Sequence, residues 1–305
     1  MAVTTRRRTA RIGDRYPTRV ADRPVIIDRA EPAVWSTDPG MLTADELAAH
    51  ERDGFVTVPQ LLTPDEVGEY AAELDRLATD PAVRADERTI VEKTSQQVRS
   101  VFEVHALSEP VAALIADERV AGRARQILGS EVYVHQSRIN YKPGFGGAGF
   151  YWHSDFETWH AEDGMPSPRA VSISIALTEN YAHNGCLMIM PGSHKEFVAC
   201  VGETPADHYK ESLREQEIGT PDPESLTALA DRHGIAMLTG AAGSATLFDS
   251  NCMHGSGSNI TPYPRSNIFV VFNSVDNGLE EPFSAPGPRP AHVAARQIVP
   301  VRRDA

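Results

Sequence analysis

Residues 150–166 read FYWHSDFETWHAEDGMP, and the interpretation of the whole chain starts from this stretch. At its centre is His153-Ser-Asp155, in which an imidazole and a carboxylate stand two residues apart. On an extended strand, residues i and i+2 point to the same face, so the two side chains can bind one metal ion together. With 11 histidines in 305 residues, such a pair arises by chance about as often as it is found here. The pair therefore predicts a metal site only if a third ligand accompanies it.

A third ligand is available far downstream, where the apolar run Ala245–Phe248 leads into His254. The intervening chain is long enough to return to the same end of a barrel, which a single hairpin could not do. Two imidazoles and one carboxylate form the facial triad of iron(II) oxygenases, which leaves positions open for a chelating cosubstrate and oxygen. We therefore predict His153, Asp155 and His254 as metal ligands and catalytic centre. Three other histidines compete for the third position: His183, His194 and His208.

Arg265 favours His254 among these candidates. It lies 11 residues past His254 and just before the strand-like run Asn267–Phe272, so one turn and one strand crossing bring it back toward the metal. A guanidinium stays charged at all relevant pH values and can bind the distal carboxylate of 2-oxoglutarate in a bidentate pair. Alone, Arg265 could equally be a surface residue after a Pro-rich turn.

The pattern of short runs predicts a β-rich domain with helices before it. After Gly129, β-type runs separated by Gly, Pro and Asn clusters are typical of an antiparallel sandwich or barrel. These runs cover residues 131–141, 170–177, 186–190, 244–248 and 267–272. Thr-x-x-Glu capping boxes at Thr43 and Thr63 predict two early helices, with a short strand over Gly54–Val58 between them. A further helical stretch covers Glu109–Leu128.

Domain organisation follows from charge and texture. Six arginines and one acid occupy the first twenty residues, so we predict a flexible, arginine-rich arm over residues 1–40 and a single domain over residues 41–305. These arginines are Arg6, Arg7, Arg8, Arg11, Arg15 and Arg19. The polar, helical segment over residues 202–238 indicates an insertion above the sheet.

Composition restricts the partners. A formal charge of −13 argues against nucleic acid, which needs a basic surface, and leaves a small molecule as the expected partner. No apolar run reaches the roughly 20 residues of a membrane span, and nothing near the N-terminus resembles a secretion signal, so we expect a cytoplasmic protein without a membrane partner. The three cysteines, Cys186, Cys200 and Cys252, are expected to be buried and reduced.

Residues 150–166 resemble the signature stretch of the ectoine hydroxylases, within the phytanoyl-CoA dioxygenase superfamily. The likeness covers roughly Leu42 to Pro290. It continues through Gln136–Gly144, His183–Gly185, Pro191–Lys195, Cys200–Pro205 and Met253–Ser256. It implies a mainly β fold with flanking α-helices around a double-stranded β-helix (jelly-roll, cupin-like) core. It also implies hydroxylation of ectoine, a compatible solute of the osmotic stress response, to 5-hydroxyectoine. Iron(II) would be the cofactor, and oxygen and 2-oxoglutarate would be consumed as succinate and CO2 are released. A homodimer is expected from this likeness alone.

The resemblance also assigns roles position by position. The iron ligands of the family fall on His153, Asp155 and His254. Its cosubstrate contacts fall on Lys142, Ser256 and Arg265. Its substrate pocket falls on Gln136, Phe150, Trp159 and Phe269. The polar residues at alternate positions from Gln136 to Lys142 would share one face of a strand, which suits a polar ligand. The chain departs from the family at Cys186, where proline is expected, and in the glycine-rich loop Gly144–Gly149.

Three alternatives remain open at this point. The same fold could hydroxylate another amino-acid derivative or a natural-product intermediate. Two histidines and a carboxylate could also form a catalytic zinc site in a hydrolase, although this explains neither Arg265 nor Lys142. The third is a barrel that binds its ligand without catalysis, which the complete ligand set disfavours.

Overall fold

The computed structural model describes residues 10–92, 96–213 and 218–302. Within these ranges, 13 β-strands and nine α-helices are present. The strands are β1 Val25–Asp28, β2 Phe55–Val58, β3 Thr89–Val91, β4 Val98–Phe102, β5 Val132–Lys142, β6 Phe150–His153, β7 Ala170–Ala176, β8 Leu187–Ile189, β9 Glu196–Ala199, β10 Ala236–Leu238, β11 Ala245–Asp249, β12 His254–Ser256 and β13 Arg265–Ser274. The helices are α1 Ala44–Asp53, α2 Pro64–Thr79, α3 Pro81–Ala85, α4 Val104–Leu107, α5 Glu109–Ala116, α6 Arg123–Leu128, α7 Asp155–Thr158, α8 Tyr209–Ser212 and α9 Pro223–His233.

Two antiparallel sheets form the core of the domain. The major sheet has seven strands in the order β2-β11-β7-β13-β5-β4-β3, and the minor sheet has four in the order β10-β8-β12-β6. Side chains from both sheets line one internal cavity. This arrangement is the predicted double-stranded β-helix with flanking helices, and every β-type run named from the sequence coincides with a strand of one of these sheets.

The central strands are buried on both faces, yet the two faces differ in chemistry. All seven residues of β7 are buried. Ile173 and Ile175 belong to the large apolar cluster that includes residues of α2, α5 and α6. Ser172 and Ser174 alternate with them and therefore point to the inside of the barrel. The helices thus cover the outer face of the major sheet, and its inner face carries polar side chains together with aromatic ones such as Phe269.

The early helices begin where the sequence predicts. Thr43 and Thr63 both form complete capping boxes, with Glu46 and Glu66 respectively. The predicted stretch Glu109–Leu128 is helical but not continuous. Its α-helical ends are joined by a π-helical turn over Glu118–Gly122, which begins at an Asp117 side-chain cap.

The N-terminal segment corrects one prediction. Residues 1–9 of the predicted arm lie outside the described residues. From Tyr16 onward the segment packs against the domain, with Tyr16, Thr18 and Arg19 buried. Strand β1 then pairs antiparallel with β9 along its whole length. A flexible arm is therefore not what the structure has from Tyr16 onward, because Arg19 and Arg29 are buried in ion pairs, although Arg15 stays exposed.

The predicted insertion is partly a component of the sheet. Residues 202–238 contain α8 and α9, but their last three residues form β10, which pairs with β8 at the edge of the minor sheet. The three cysteines are free and buried, as expected. Over the described ranges, no helix has the length and apolar character needed to cross a bilayer.

Candidate metal centre and active site

The structure brings His153, Asp155 and His254 together. One ligand atom from each lies within 4.8 Å of the other two, and no other such group of histidine, cysteine or acidic side chains occurs in the described part of the chain. His153 and His254 are direct partners across the β6–β12 pair. The prediction that His153 and Asp155 share one extended strand is wrong. β6 ends at His153, and Asp155 is the first residue of α7.

The two imidazoles are oriented for metal binding. Nδ1 of His153 lies 2.7 Å from the carbonyl oxygen of Tyr151, and Nδ1 of His254 lies 3.0 Å from that of Cys252. A carbonyl oxygen can only accept, so each Nδ1 carries the proton and each Nε2 presents a lone pair. Burial, and then the neighbouring His254, lowers the pKa of His153 to about 4, which keeps this ring neutral. The donor set therefore fits a divalent metal ion.

Asp155 supplies the charged ligand. Its Oδ1 lies 3.8 Å from Nε2 of His153, and its Oδ2 lies 4.0 Å from Nε2 of His254. Ser172 donates a hydrogen bond of 3.2 Å to Oδ2. Burial opposes ionisation, but the imidazoles and the Arg138 guanidinium keep the pKa of Asp155 below its usual value. Two neutral nitrogens and one carboxylate with open positions suit iron(II).

Lys142 and Arg265 form a buried cationic pair next to the triad. They are 4% and 6% exposed, and no carboxylate of the described residues lies within ion-pair distance of either. Lys142 donates to Oγ of Ser256 at 2.9 Å, and Arg265 donates to the carbonyl oxygen of Gly185 at 2.9 Å. Burial, followed by the charges of Arg265 and Arg99, lowers the pKa of Lys142 to about 7. Two buried cations without a counter-charge form a site for an anion.

Two adjoining chambers meet at the triad. One lies on the side of Lys142 and Arg265 and includes His254, and the other lies on the side of Trp159 and includes Asp155. Four residues line both chambers: Arg138, Asn140, Phe150 and His153. A molecule bound in either chamber therefore lies next to His153, and each chamber adds one further ligand of the triad.

Each predicted substrate residue lines one of these chambers. Phe150 lies beneath two cations, with the Arg99 guanidinium 4.4 Å and the Lys142 ammonium 5.7 Å from its ring centre. Trp159 is 3% exposed and lies on the second chamber, and Phe269 lines the first. The Gln136 amide nitrogen donates to the Val293 carbonyl oxygen at 2.6 Å, which fixes its orientation.

Arg138 is a site residue to which the sequence argument gave no role. Its Nη1 donates to Oε1 of Gln136 at 2.6 Å, and its guanidinium lies 5.1 Å from the ring centre of Phe269. Its buried Nε has no hydrogen-bond partner, and no described carboxylate is within ion-pair distance. The alternation of polar residues on β5 placed Arg138 inward, and that pattern was the available signal.

The rival histidines lie elsewhere. His183 stacks on Tyr181, with ring centres 5.0 Å apart. His194 contacts the carbonyl oxygen of Glu51 at 3.2 Å. Neither these two nor His208 belongs to the group that can hold a metal.

The chain resembles known proteins over nearly its full length. It is 65% identical to the ectoine dioxygenase of Streptomyces avermitilis over 95% of this chain and 99% of that one. It is 53% identical to the ectoine dioxygenase of Bordetella bronchiseptica over 93% of each chain. The crystal structure of EctD from S. alaskensis with 2-oxoglutarate and 5-hydroxyectoine superposes with a TM-score of 0.87 at 45% identity, covering 95% of this chain and 98% of that one.

A second crystal structure of EctD from S. alaskensis, with bound Fe, has a TM-score of 0.86 at 44% identity over the same shares of the two chains. Residues 50–267, which carry the triad and the cationic pair, match the model of the family described as phytanoyl-CoA dioxygenase (PhyH). Because this match spans most of the chain and agrees with the site geometry, the chain belongs to the phytanoyl-CoA dioxygenase family.

Proposed function

We propose that the protein is an iron(II)- and 2-oxoglutarate-dependent dioxygenase that hydroxylates ectoine to 5-hydroxyectoine and releases succinate and CO2. The observation that carries this proposal is the position of Lys142 and Arg265, two buried cations without a carboxylate partner beside a two-histidine, one-carboxylate triad. The named activity of relatives with 50–65% identity points to the same substrate.

His153, Asp155 and His254 would hold the iron. Iron(II) bound there would activate oxygen for the oxidation of 2-oxoglutarate and for the insertion of an oxygen atom into a C–H bond of the substrate. The carbonyl oxygens of Tyr151 and Cys252 keep each Nε2 unprotonated and directed at the metal position. Ser172 fixes one oxygen of Asp155 in the same way.

The first chamber would bind 2-oxoglutarate. Its distal carboxylate would neutralise Lys142 and Arg265, with the Ser256 hydroxyl as an additional donor. The neighbouring Phe150 ring and the strands around it exclude water, so each of these charges acts in a medium of low dielectric constant. A dicarboxylate fits this chamber because one end meets the two cations while the other end reaches His254 and His153.

The second chamber would bind ectoine, which carries a carboxylate on a cyclic amidinium ring. We propose that Arg138 pairs with this carboxylate, since its Nε is buried without a partner. Trp159 and Phe150 offer aromatic faces to the delocalised cation. Gln136 and, from the first chamber, Phe269 contact Arg138 and so orient it. Holding the ring at a fixed distance from the metal is the contribution of the protein to regioselectivity.

Substrate identity is tested by coupling. Iron-loaded enzyme is incubated with oxygen, 2-oxoglutarate and either ectoine or another zwitterionic solute such as proline, and succinate and hydroxylated product are quantified by NMR. We expect one succinate per 5-hydroxyectoine with ectoine only. Coupled hydroxylation of proline in preference to ectoine would favour the alternative substrate class, and product formation without oxygen, supported by zinc, would favour the hydrolase.

The oligomeric state and the cellular compartment are also proposals. We propose a cytoplasmic homodimer that acts on a small solute during osmotic stress, as the resemblance implies. Sedimentation equilibrium of the purified chain tests the assembly, and fractionation of salt-stressed cells tests the compartment.

A further inference from the structure

The segment that presents Asp155 and Trp159 is short. Helix α7 has four residues and runs directly into a π-helical turn over Trp159–Asp163 of five residues. Isolated helices of this length are unstable, and π-helical turns are rare and concentrated at functional sites. The position of this segment must therefore be set by contacts with the rest of the protein.

Buried ion pairs provide these contacts. Arg19 forms a fork with Glu157, with Nε 2.9 Å from Oε1 and Nη2 2.7 Å from Oε2, and its Nη1 lies 2.6 Å from Oε1 of Glu162. Arg289 forms a second fork with Asp163, at 2.8 and 2.5 Å. The Arg19, Glu157 and Glu162 side chains are at most 3% exposed.

Arg19 is held in place with unusual firmness. Its backbone adopts φ of 58°, a left-handed conformation that non-glycine residues rarely adopt and that persists only where the surroundings enforce it. Its amide donates to the Cys200 carbonyl oxygen at 2.8 Å, at the end of β9. Gly219 packs so closely against the guanidinium that a Cβ there would collide with Nη2.

A role in stability alone does not account for this arrangement. Buried ion pairs are often no more stabilising than apolar residues of the same volume, because both charges lose their hydration. What the fork supplies is geometry, since it fixes Glu157 two residues from Asp155 and Glu162 three residues from Trp159. Nη1 of Arg19 also donates to Oγ1 of Thr204 at 2.9 Å, so the loop after β9 contacts the same guanidinium.

From this geometry we infer that Arg19 is a positioning residue: through Glu157 and Glu162 it sets the position of Asp155 at the metal and of Trp159 in the substrate chamber. The part that concerns Trp159 rests on the proposed function, and the part that concerns Asp155 does not. The predicted cosubstrate residues lie on β5, β12 and β13, away from α7 and the turn that follows it, so Arg19 does not position Lys142 or Arg265.

The variant Arg19→Lys keeps the charge and removes the fork. We expect about tenfold weaker Co(II) binding to the metal-free protein, measured by absorption spectroscopy, and about tenfold higher KM for ectoine, with KM for 2-oxoglutarate unchanged. The number of succinate molecules released per 5-hydroxyectoine should rise above one. Glu157→Gln should reproduce these effects, and the double variant should be no worse than either single variant.

Arg125→Lys is the matched control, because Arg125 is also buried and paired with two acids, Glu118 and Glu131, but remote from the chambers. It should lower the thermal midpoint without changing Co(II) affinity or coupling. The inference is overturned if Arg19→Lys and Glu157→Gln, still folded by circular dichroism, lower only the midpoint as the control does. If the wild-type enzyme fails to hydroxylate ectoine, the proposed function fails, and Co(II) affinity still decides the role of Arg19.

Discussion

Lys142 and Arg265 lie directly opposite each other on the antiparallel strands β5 and β13. Like charges in this position repel each other, and burial adds the loss of hydration. The ligand-free protein therefore carries an unfavourable interaction that a bound dianion would relieve. The proposed role of the cationic pair is to bind this dianion, so its effects should appear in cosubstrate affinity.

Replacing Lys142 should weaken cosubstrate binding selectively. A charge-assisted hydrogen bond contributes about 2 kcal/mol, which corresponds to roughly thirtyfold in affinity. We expect Lys142→Met to raise KM for 2-oxoglutarate by about that factor and to change KM for ectoine much less. The exposed Lys210, which pairs with Asp207, offers the control Lys210→Met, which should behave as wild type. Equal rises in both KM values would contradict this separation of the chambers.

Cosubstrate binding should also take up a proton. Because burial and neighbouring cations lower the pKa of Lys142 to about 7, this side chain is mostly neutral at pH 8 in the free protein. A bound carboxylate favours the charged form and raises the pKa, so affinity should fall as pH rises above about 7. Calorimetry at pH 8 in two buffers with different ionisation enthalpies measures the uptake. Lys142→Met should abolish it, and an equal uptake in that variant would assign the proton to another group.

Variants of Ser172 and Asp155 distinguish a residue that orients a metal ligand from the ligand itself. Asp155→Ala should abolish oxygen-dependent succinate formation and Co(II) binding. Ser172→Ala removes only the 3.2 Å hydrogen bond to Oδ2 and should weaken metal binding about tenfold while turnover persists. Full turnover by Asp155→Ala, measured as succinate release, would exclude Asp155 as a metal ligand. Wild-type metal affinity in Ser172→Ala would show that the serine has no supporting role.

The sequence predicted those features that depend on local chemistry. The capping boxes at Thr43 and Thr63, the strand pattern after Gly129 and the polar face of β5 follow from hydrogen bonding and side-chain alternation over a few residues. The same alternation brought Gln136 and Lys142 to the chambers. The roles of the other predicted cosubstrate and substrate residues rest on the family resemblance and stay predictions.

The features that the sequence argument missed depend on distant partners. Arg19 was assigned to a solvated arm because its neighbours in sequence are basic, but its partners lie about 140 residues away, in the signature stretch. The end of β6 at His153 was likewise not predicted. Ser154 continues the extended backbone, and the helical turn that begins at Asp155 depends on tertiary contacts. No local pattern contains this information.

Arg138 should bind the substrate and not the cosubstrate. Its unpartnered Nε and its contact with Gln136 place it at the boundary of the two chambers, where the carboxylate of ectoine is proposed to lie. We expect Arg138→Met to raise KM for ectoine at least about tenfold and to leave 2-oxoglutarate binding by calorimetry unchanged. With the wild type, an ectoine analogue that lacks the carboxylate should bind more weakly than ectoine by the same factor. With Arg138→Met, the analogue and ectoine should bind equally well. A larger loss in 2-oxoglutarate binding than in ectoine binding would assign Arg138 to the cosubstrate.

Arg29 forms a buried ion pair near the second ligand segment, as Arg19 does near the first. It follows β1, and its Nη1 lies 2.8 Å from Oδ1 of Asp249, at the end of the strand that leads to His254. The two side chains are 2% and 3% exposed. Asp249 in turn accepts from the Asn251 amide at 2.8 Å and so shapes the turn before His254.

Removing Arg29 should destabilise the whole domain, because it leaves the Asp249 carboxylate buried and uncompensated. Breaking one side of such a pair costs about 3–5 kcal/mol, so Arg29→Met should lower the free energy of unfolding in urea by that amount. The double variant with Asp249→Asn should recover part of the loss, since no charge is left unpaired. Arg15→Met removes an arginine of the same segment that is 60% exposed and paired with Glu31, and should cost less than about 1 kcal/mol. Equal losses for Arg29→Met and Arg15→Met would mean that the N-terminal segment contributes by its backbone pairing with β9 and not by its buried charge.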